Sequence, residues 1–341
     1  MLSFFRWVLF FIALFVTLMG GGLFVGHRLL VAEGPLATPK RVVIARGAGP
    51  ATMAKILKEE GVISHPRLFR LALMIDPNPK PIKAGEYEVG AHTSMQALVE
   101  LLQSGKVVQR RLTVPEGTTT AEIVELVRKT EALSGEITLD LKEGDLLPET
   151  YFYSRDDTRD GLLSRMKEAM DKALDGVWRK RAAALPLANR REALILASMI
   201  EKETAVGAER AKVSAVFINR LRRKMKLESD PTTIYGLTDG KASLGRELTR
   251  ADLQSSSLYN TYVVTGLPPG PICNPGRASL VAATNPIHDR SIYFVADGQG
   301  GHVFAISLAD HNRNVARWKE ILRQRQEQTS SPAPAPAPAK P

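Results

Sequence analysis

Residues 191–206 read REALILASMIEKETAV, a helical stretch introduced by Asn189 and closed by two glutamates, Glu201 and Glu203. Its interior, Ala193 to Ile200, is apolar on every side. That is the pattern of a helix with protein all around it, not of an amphipathic surface helix. A larger mixed α+β domain with this helix buried at its centre is therefore expected. At about 100° per residue, Glu203 falls over Ile200, Met199 and Leu196, and Glu201 falls over Ala197, Ser198 and Leu194. Either carboxyl can face the interior. A carboxyl held against aliphatic side chains loses hydration and its pKa rises, which a general acid working near neutral pH requires. The competing reading is that Lys202 and Arg210 neutralise the pair at an exposed helix end, and helix phase alone leaves both open.

Downstream, VSAVFINRLRRKMKLESDPTTIYGL (213–237) predicts a second helix ending near Lys224. A loop should follow, gathering Asp230, Thr232, Thr233 and Tyr235 around Pro231. SLYNTYVVTGLPPGPICNPG (257–276) sets Tyr259, Asn260, Thr261, Tyr262 and Asn274 among seven glycines and prolines. Rigid loops rich in aromatic and amide groups suit a sugar polymer, whose ring faces stack on Tyr and whose hydroxyl and acetamido groups hydrogen-bond to Asn and Thr. Ordinary turn chemistry uses the same residues and is the alternative.

Upstream, a basic helix is predicted from Leu162 to about Leu185, closed by Pro186, its charges reading as a solvated face. LLPETYFYSRDD (146–157) supplies packing residues at a junction, and a shorter helix spans Thr120 to Thr130. Before these, a strand at Val42–Ile44, two helical stretches, an alternating strand at Gly85–Val89, a helix capped by Ser94 and an alternating run from Val107 to Val114 make a small α+β module of 41–114. Nothing in it looks catalytic.

The run from Trp7 to Val25, WVLFFIALFVTLMGGGLFV, carries no charge. Its length suffices to cross a hydrocarbon core of about 30 Å. No A-x-A cleavage pattern follows, so an uncleaved N-terminal transmembrane helix over 7–28 is expected, with 1–6 a short cytoplasmic end and 29–40 a linker. The last segment, 329–341, is dominated by alternating Pro and Ala and is expected to be an extended, disordered tail.

Composition narrows the function class. With 44% hydrophobic residues in 341, the chain can bury substantial cores. A single cysteine, Cys273, excludes an intramolecular disulfide and a Cys-rich zinc site. The six histidines include no H-E-x-x-H and no metal-ligand spacing, so neither a metal nor a cofactor is expected. The formal charge of +10 fits acidic polymers or anionic lipid. A nucleic-acid role rests on that charge alone and conflicts with an exported body. Ser164-Arg165-Met166-Lys167 matches S-x-x-K of penicillin-binding proteins, but no K-T-G or S-D-N accompanies it.

Taken together, I-E-K-E-T-A (200–205), F-I-N-R-L-R (217–222), S-D-P-T-x-x-Y (229–235), Y-N-T-Y-x-x-x-G-L-P-P-G-P-I-x-N-P-G (259–276) and Y-F-V-A-D-G-x-G-G-H-x-F (293–304) resemble the YceG-like family, the endolytic murein transglycosylases. The likeness runs from about Leu147 to Trp318, and 41–114 resembles the LysM-like module that such proteins carry after their anchor. The resemblance implies a YceG-like catalytic domain at 115–328. It further implies a single-pass bacterial inner-membrane lyase, with its body on the periplasmic side, acting on peptidoglycan glycan strands beside wall-synthesis enzymes. Such an enzyme cuts between MurNAc and GlcNAc, leaves 1,6-anhydro-MurNAc ends and terminates strand elongation. Glu203-Thr204-Ala205 is similar to the E-S-A-like runs of other lytic transglycosylases, which makes Glu203 the expected acid/base and Glu201 the second choice. Glu203 would protonate the glycosidic oxygen and then act as base for the muramic C6 hydroxyl. Asn219, Asp230, Thr232, Tyr235, Tyr259, Asn260, Tyr262 and Asn274 are the expected substrate contacts. A non-catalytic, membrane-anchored peptidoglycan-binding scaffold is the alternative, distinguished by the absence of turnover.

Overall fold

The computed structural model describes residues 2–76 and 78–330, so the expected tail of 329–341 lies outside the described residues except for its first two, which are helical. The chain forms two compact units. The first takes the chain up to Arg111 together with Glu131–Ser134 and Phe152–Thr158, and the second takes Leu112–Thr130, Gly135–Tyr151 and the chain from Arg159 on.

The first unit begins with α1 (Leu2–Val31), one uninterrupted helix containing the uncharged Trp7–Val25 run. It is long and apolar enough to cross a membrane, with a mean hydropathy of 2.5 in its most apolar window and none of that window buried against the protein. Beyond it, β1 (Lys40–Ile44), α2 (Pro50–Glu59), α3 (Pro66–Ile75), β2 (Gly85–Val89) and α4 (Met95–Ser104) follow in order. The two strands pair antiparallel, Val42 opposite Tyr87 and Ile44 opposite Gly85. Alternation turns Val42 and Ile44 inward, where they meet Leu57, Phe69, Tyr87, Leu98 and Leu102 in one core. Tyr87 is fully buried, and its hydroxyl is satisfied by the carbonyls of Lys83 at 2.7 Å and Leu102 at 3.2 Å. As expected, Ser94 caps α4, accepting from Ala97 N–H.

The expected Val107–Val114 strand contracts to β3 (Arg110–Thr113), which pairs with β4 (Thr150–Tyr153). In the second unit, α5 (Thr120–Lys129) opens on a reciprocal capping box between Thr119 and Glu122. The basic helix is α6 (Arg159–Arg179), shorter at its end than expected: the chain turns at Lys180 and Arg181, and Ala182 N–H bonds to the Thr284 carbonyl instead of continuing the helix.

Next comes α7 (Arg190–Glu203), capped by Asn189, whose side chain accepts from Glu192 N–H. Every residue from Ala193 to Ile200 is buried. A turn of 3-10 helix (Gly207–Glu209) leads into α8 (Arg210–Arg222), and α9 (Asp230–Thr238) and α10 (Arg277–Thr284) follow. Helices α6, α8 and α10 pack around α7, so its apolar residues lie inside one core with Met170, Phe217 and Leu280. Burying a Leu, Ile or Met side chain is worth about 1.5–3 kcal/mol, so several such residues on one helix fix its position firmly. The described residues end in a hairpin of β5 (Tyr293–Ala296) and β6 (His302–Ala305), with Phe294 opposite Phe304, and in α11 (Leu308–Ser330), which packs on it.

The stretch around Pro231 is a helix and not the expected loop. Pro231 stands in the first turn of α9, where a missing N–H costs nothing and the fixed φ suits the helix. Gly144 sits at φ +86, and a Cβ there would lie 2.8 Å from Pro271, so the loop before β4 approaches the Pro-rich segment only with glycine at this place.

Candidate active site

The last turn of α7 brings two carboxyls to the end of a buried helix, and their surroundings differ. Glu201 has a side chain only 5% exposed, held by Arg210 Nη2 at 3.2 Å and by Gly276 N–H at 2.9 Å. An ion pair and a backbone hydrogen bond engage both of its oxygens. Among the described residues no cation is in contact with Glu203. Its Oε2 accepts from the Ser229 hydroxyl at 2.9 Å. Burial pushes its pKa up to about 7, and the charge of Asp230 adds to this, while the Ser229 hydrogen bond, His302 and Arg220 pull the other way. A carboxyl with that pKa holds a transferable proton in a large fraction of molecules at neutral pH.

Glu203 opens onto a cleft of about 480 Å³ lined by Arg220, Leu227, Asp230, Tyr262, Phe294 and His302, among others. Each wall follows from the fold. Asp230 begins α9, where an acid is favoured by the helix dipole, and it accepts from the Tyr262 hydroxyl at 2.7 Å. Arg220, buried on α8, donates through Nε to Ile292 O at 2.7 Å and through Nη1 to Leu227 O at 3.0 Å and Glu228 Oε2 at 2.9 Å. It thereby ties α8 to the hairpin and to the segment before α9. The hairpin and α11 bring Phe294, His302 and His311 to the cleft.

Of the expected site residues, the cleft unites Glu203, Asp230 and Tyr262. The others are not among its lining residues. Thr232 and Asn260 are fully buried: the Thr232 hydroxyl donates to Ser229 O and lies 2.8 Å from that of Thr261, while Asn260 holds Thr233, Leu253 and Ser255. Asn219 donates to the carbonyls of Asp289 and Ser291. Asn274, also fully buried, accepts from Leu146 N–H at 2.8 Å and donates to Thr118 O, Thr120 Oγ1 and Glu143 Oε1. The Tyr235 and Tyr259 rings pack with centroids 4.8 Å apart and planes tilted by 47°, and the Tyr235 hydroxyl donates to Glu143. Of these, Thr232 and Asn260 hold the backbone near the cleft, through Ser229 O and Tyr262 N–H.

The sequence reading missed Ser229, Arg220 and His302 as site residues, although all three stand in the motifs quoted above. A signal existed for Arg220, a charged residue two positions beyond the buried Val213–Ile218 run. The S-x-x-K serine reading finds no support, since Lys167 is paired with Asp145 at 3.0 Å and its pKa is raised, the reverse of what a general base needs. Among the described residues no cluster of His, Cys, Asp and Glu could hold a metal ion.

Compared with known proteins, residues 42–317 match the family model described as the YceG-like family. A Bacillus subtilis protein named endolytic murein transglycosylase is 29% identical over 330 residues, covering 87% of this chain and 89% of that relative. A Streptococcus pneumoniae protein of the same name is 29% identical over 361 residues, covering 91% of this chain and 64% of its own length. The crystal structure of a YceG-like protein from Listeria monocytogenes superposes with a TM-score of 0.50 at 28% identity, over 81% of this chain and 99% of that one.

Proposed function

The chain belongs to the YceG-like family, and from that premise we propose that it is a membrane-anchored murein lytic transglycosylase with Glu203 as its acid. The observation that carries this reading is the Glu203 carboxyl itself: in contact with no cation among the described residues, raised to a pKa of about 7 and open to a cleft. The relatives' names supply the substrate class, the glycan strands of peptidoglycan.

Protonated Glu203 donates to the glycosidic oxygen as the bond from muramic C1 breaks. The muramic C6 hydroxyl attacks C1 from within the same sugar, and its proton finally restores Glu203. The nucleophile is already tethered to the reacting carbon, so a second carboxylate at the roughly 5 Å spacing of retaining hydrolases is not demanded. Asp230, with Tyr262 on one of its oxygens, adds negative charge on the cleft wall where positive charge develops at C1. The apolar α1 helix supports attachment to a membrane, and a murein substrate requires the body to lie outside the cytoplasm. The βααβ arrangement of the first unit is consistent with a LysM-like glycan-positioning module.

Incubating the full-length chain in detergent with uncrosslinked glycan strands tests this directly. Internal fragments ending in 1,6-anhydro-MurNAc are expected, each lighter by one water than the hydrolytic fragment. Hydrolytic reducing ends would replace the lyase by a hydrolase, and intact strands would favour the scaffold.

A further inference from the structure

The cleft that holds Glu203 and Asp230 is also lined by three basic side chains, and they are not equally occupied. His302 is engaged by Glu209, whose carboxylate oxygens meet its backbone N–H at 2.9 Å and its ring Nδ1 at 2.7 Å. Arg220 and His311 keep donors that nothing in the described protein uses.

Arg220 spends Nε and Nη1 on the carbonyls of Ile292, Lys226 and Leu227 and on Glu228 Oε2. A guanidinium is a rigid planar fork, so fixing these two nitrogens also fixes where Nη2 points. Among the described residues Nη2 has no hydrogen-bond partner, yet it is not sealed off from solvent, and Arg220 lines the cleft. His311 lies in the first turn of α11, its ring stacked on Tyr293 at 4.9 Å with the planes 18° apart. The Arg220 guanidinium stands 5.3 Å from the centroid of the same ring, so one aromatic side chain of β5 seats both donors. His311 Nδ1 is buried without a partner. Burial, and then the Arg220 charge, hold the ring's pKa below its ordinary value, which keeps it neutral. A buried N–H is a rarer orphan than a buried acceptor, so the hydrogen belongs on Nε2, which is offered to the cleft that His311 lines. Apolar surface accompanies the two donors. Leu227, whose carbonyl takes Nη1, and Val315, one turn beyond His311, line the same cleft.

A matching ligand group has a carbonyl or carboxylate oxygen next to a small alkyl group. In the lytic reading the reacting sugar has such a group, the lactyl ether of MurNAc, with its methyl and its carboxyl, free or joined to a stem peptide. GlcNAc carries only a hydroxyl at that position. The acetamido group also pairs a methyl with a carbonyl, but its N–H needs an acceptor, and the acceptors that meet the guanidinium are already taken by Nε and Nη1. We propose that Arg220 Nη2 and His311 Nε2 form a recognition site for the lactyl group of MurNAc, the feature that separates murein from chitin. The assignment deepens the lytic reading above and rests on it for the identity of the sugar. Both residues bind and orient, and neither moves a proton. A site built to hydrogen-bond a ligand group rejects the analogue that lacks it, because its own donors are then left unpaired.

The test is calorimetric titration of the full-length chain in detergent, carrying Glu203→Gln to suppress turnover. Three probes are used: peptide-free murein strands, the same strands with the lactyl carboxyl reduced to the alcohol, and chitin oligosaccharides of equal length. The parent should bind murein at least about 30-fold more tightly than chitin, and reduction should cost it about 10-fold. Adding His311→Phe, which keeps the stack on Tyr293, or Arg220→Lys should cost about 10-fold on murein and less than about 2-fold on the reduced strands and on chitin. His311→Phe decides the matter if Arg220→Lys does not fold. Equal affinity of the parent for murein and chitin, or none for either, overturns the assignment, as does an undiminished preference in either variant. Equal losses on all three probes overturn it as well, since they would mark contacts to the acetamido group or a merely structural role. Murein preference as expected in a chain whose wild type forms no anhydro ends would instead overturn the lytic reading and leave the lactyl site standing.

Discussion

The Ser229 hydroxyl donates to Glu203 Oε2 at 2.9 Å, joining the residue that precedes α9 to the last residue of α7. The bond favours the ionised carboxylate and so opposes the effect of burial. Ser229 thus positions the Glu203 carboxyl and limits how far its pKa climbs. Ser229→Ala should therefore raise the Glu203 pKa above about 7 and move the alkaline limb of the kcat/KM profile to higher pH, with a several-fold lower plateau from looser positioning. A pH–rate profile on glycan strands checks this, and an alkaline limb moved to lower pH would contradict it.

Glu203 also predicts a pH dependence of stability. Its folded-state pKa of about 7 stands above its ordinary value of 4.5. Its contribution is fully present below pH 4.5, where folded and unfolded forms both hold the proton, and is lost as pH rises through 7. Relative to Glu203→Gln, the wild type should lose up to about 3 kcal/mol between pH 4.5 and pH 8. Urea unfolding of both proteins at the two pH values measures the difference, and parallel behaviour would show that the carboxyl is hydrated.

Glu201 should behave as a structural carboxylate. Arg210→Met leaves it buried with only the Gly276 N–H. That should cost about 3 kcal/mol, the usual size for breaking a buried pair. Removing both charges with Glu201→Met and Arg210→Met should cost less than Arg210→Met alone. Thermal unfolding of the single and double variants tests the pair, and simple additivity would mean that the two do not interact.

The α1 helix predicts a protein that keeps its N-terminus and fractionates with membrane after alkaline extraction. N-terminal sequencing of the mature protein checks it. A chain beginning near Ala32 would show a cleaved signal.

The centre of the fold was legible because α7 is apolar on all sides from Ala193 to Ile200 and because Ser94 and Asn189 cap their helices through local bonds. The difference in surroundings between Glu201 and Glu203 was not, because helix phase turns both inward. It is set by Arg210, nine residues on, and by the Gly276 N–H, 75 residues away. Asn260 and Asn274 look like sugar-binding amides by type and neighbourhood. They are fully buried because the tight loops around them carry backbone groups that need partners. His302 escaped notice because its meaning depends on a hairpin that brings it to Glu209, 93 residues earlier in the chain.

The most direct measurement is the yield of 1,6-anhydro-MurNAc ends from glycan strands by Glu203→Gln and Glu201→Gln under one condition, with circular dichroism confirming that both are folded. Glutamine keeps the shape of the side chain but removes the transferable proton. Glu203→Gln should fall by at least about 100-fold, the lower range for loss of general acid catalysis, while Glu201→Gln retains much of the activity. A nearly fully active Glu203→Gln beside an inactive Glu201→Gln would assign the acid to the other carboxyl, and two active variants would remove it from this helix altogether.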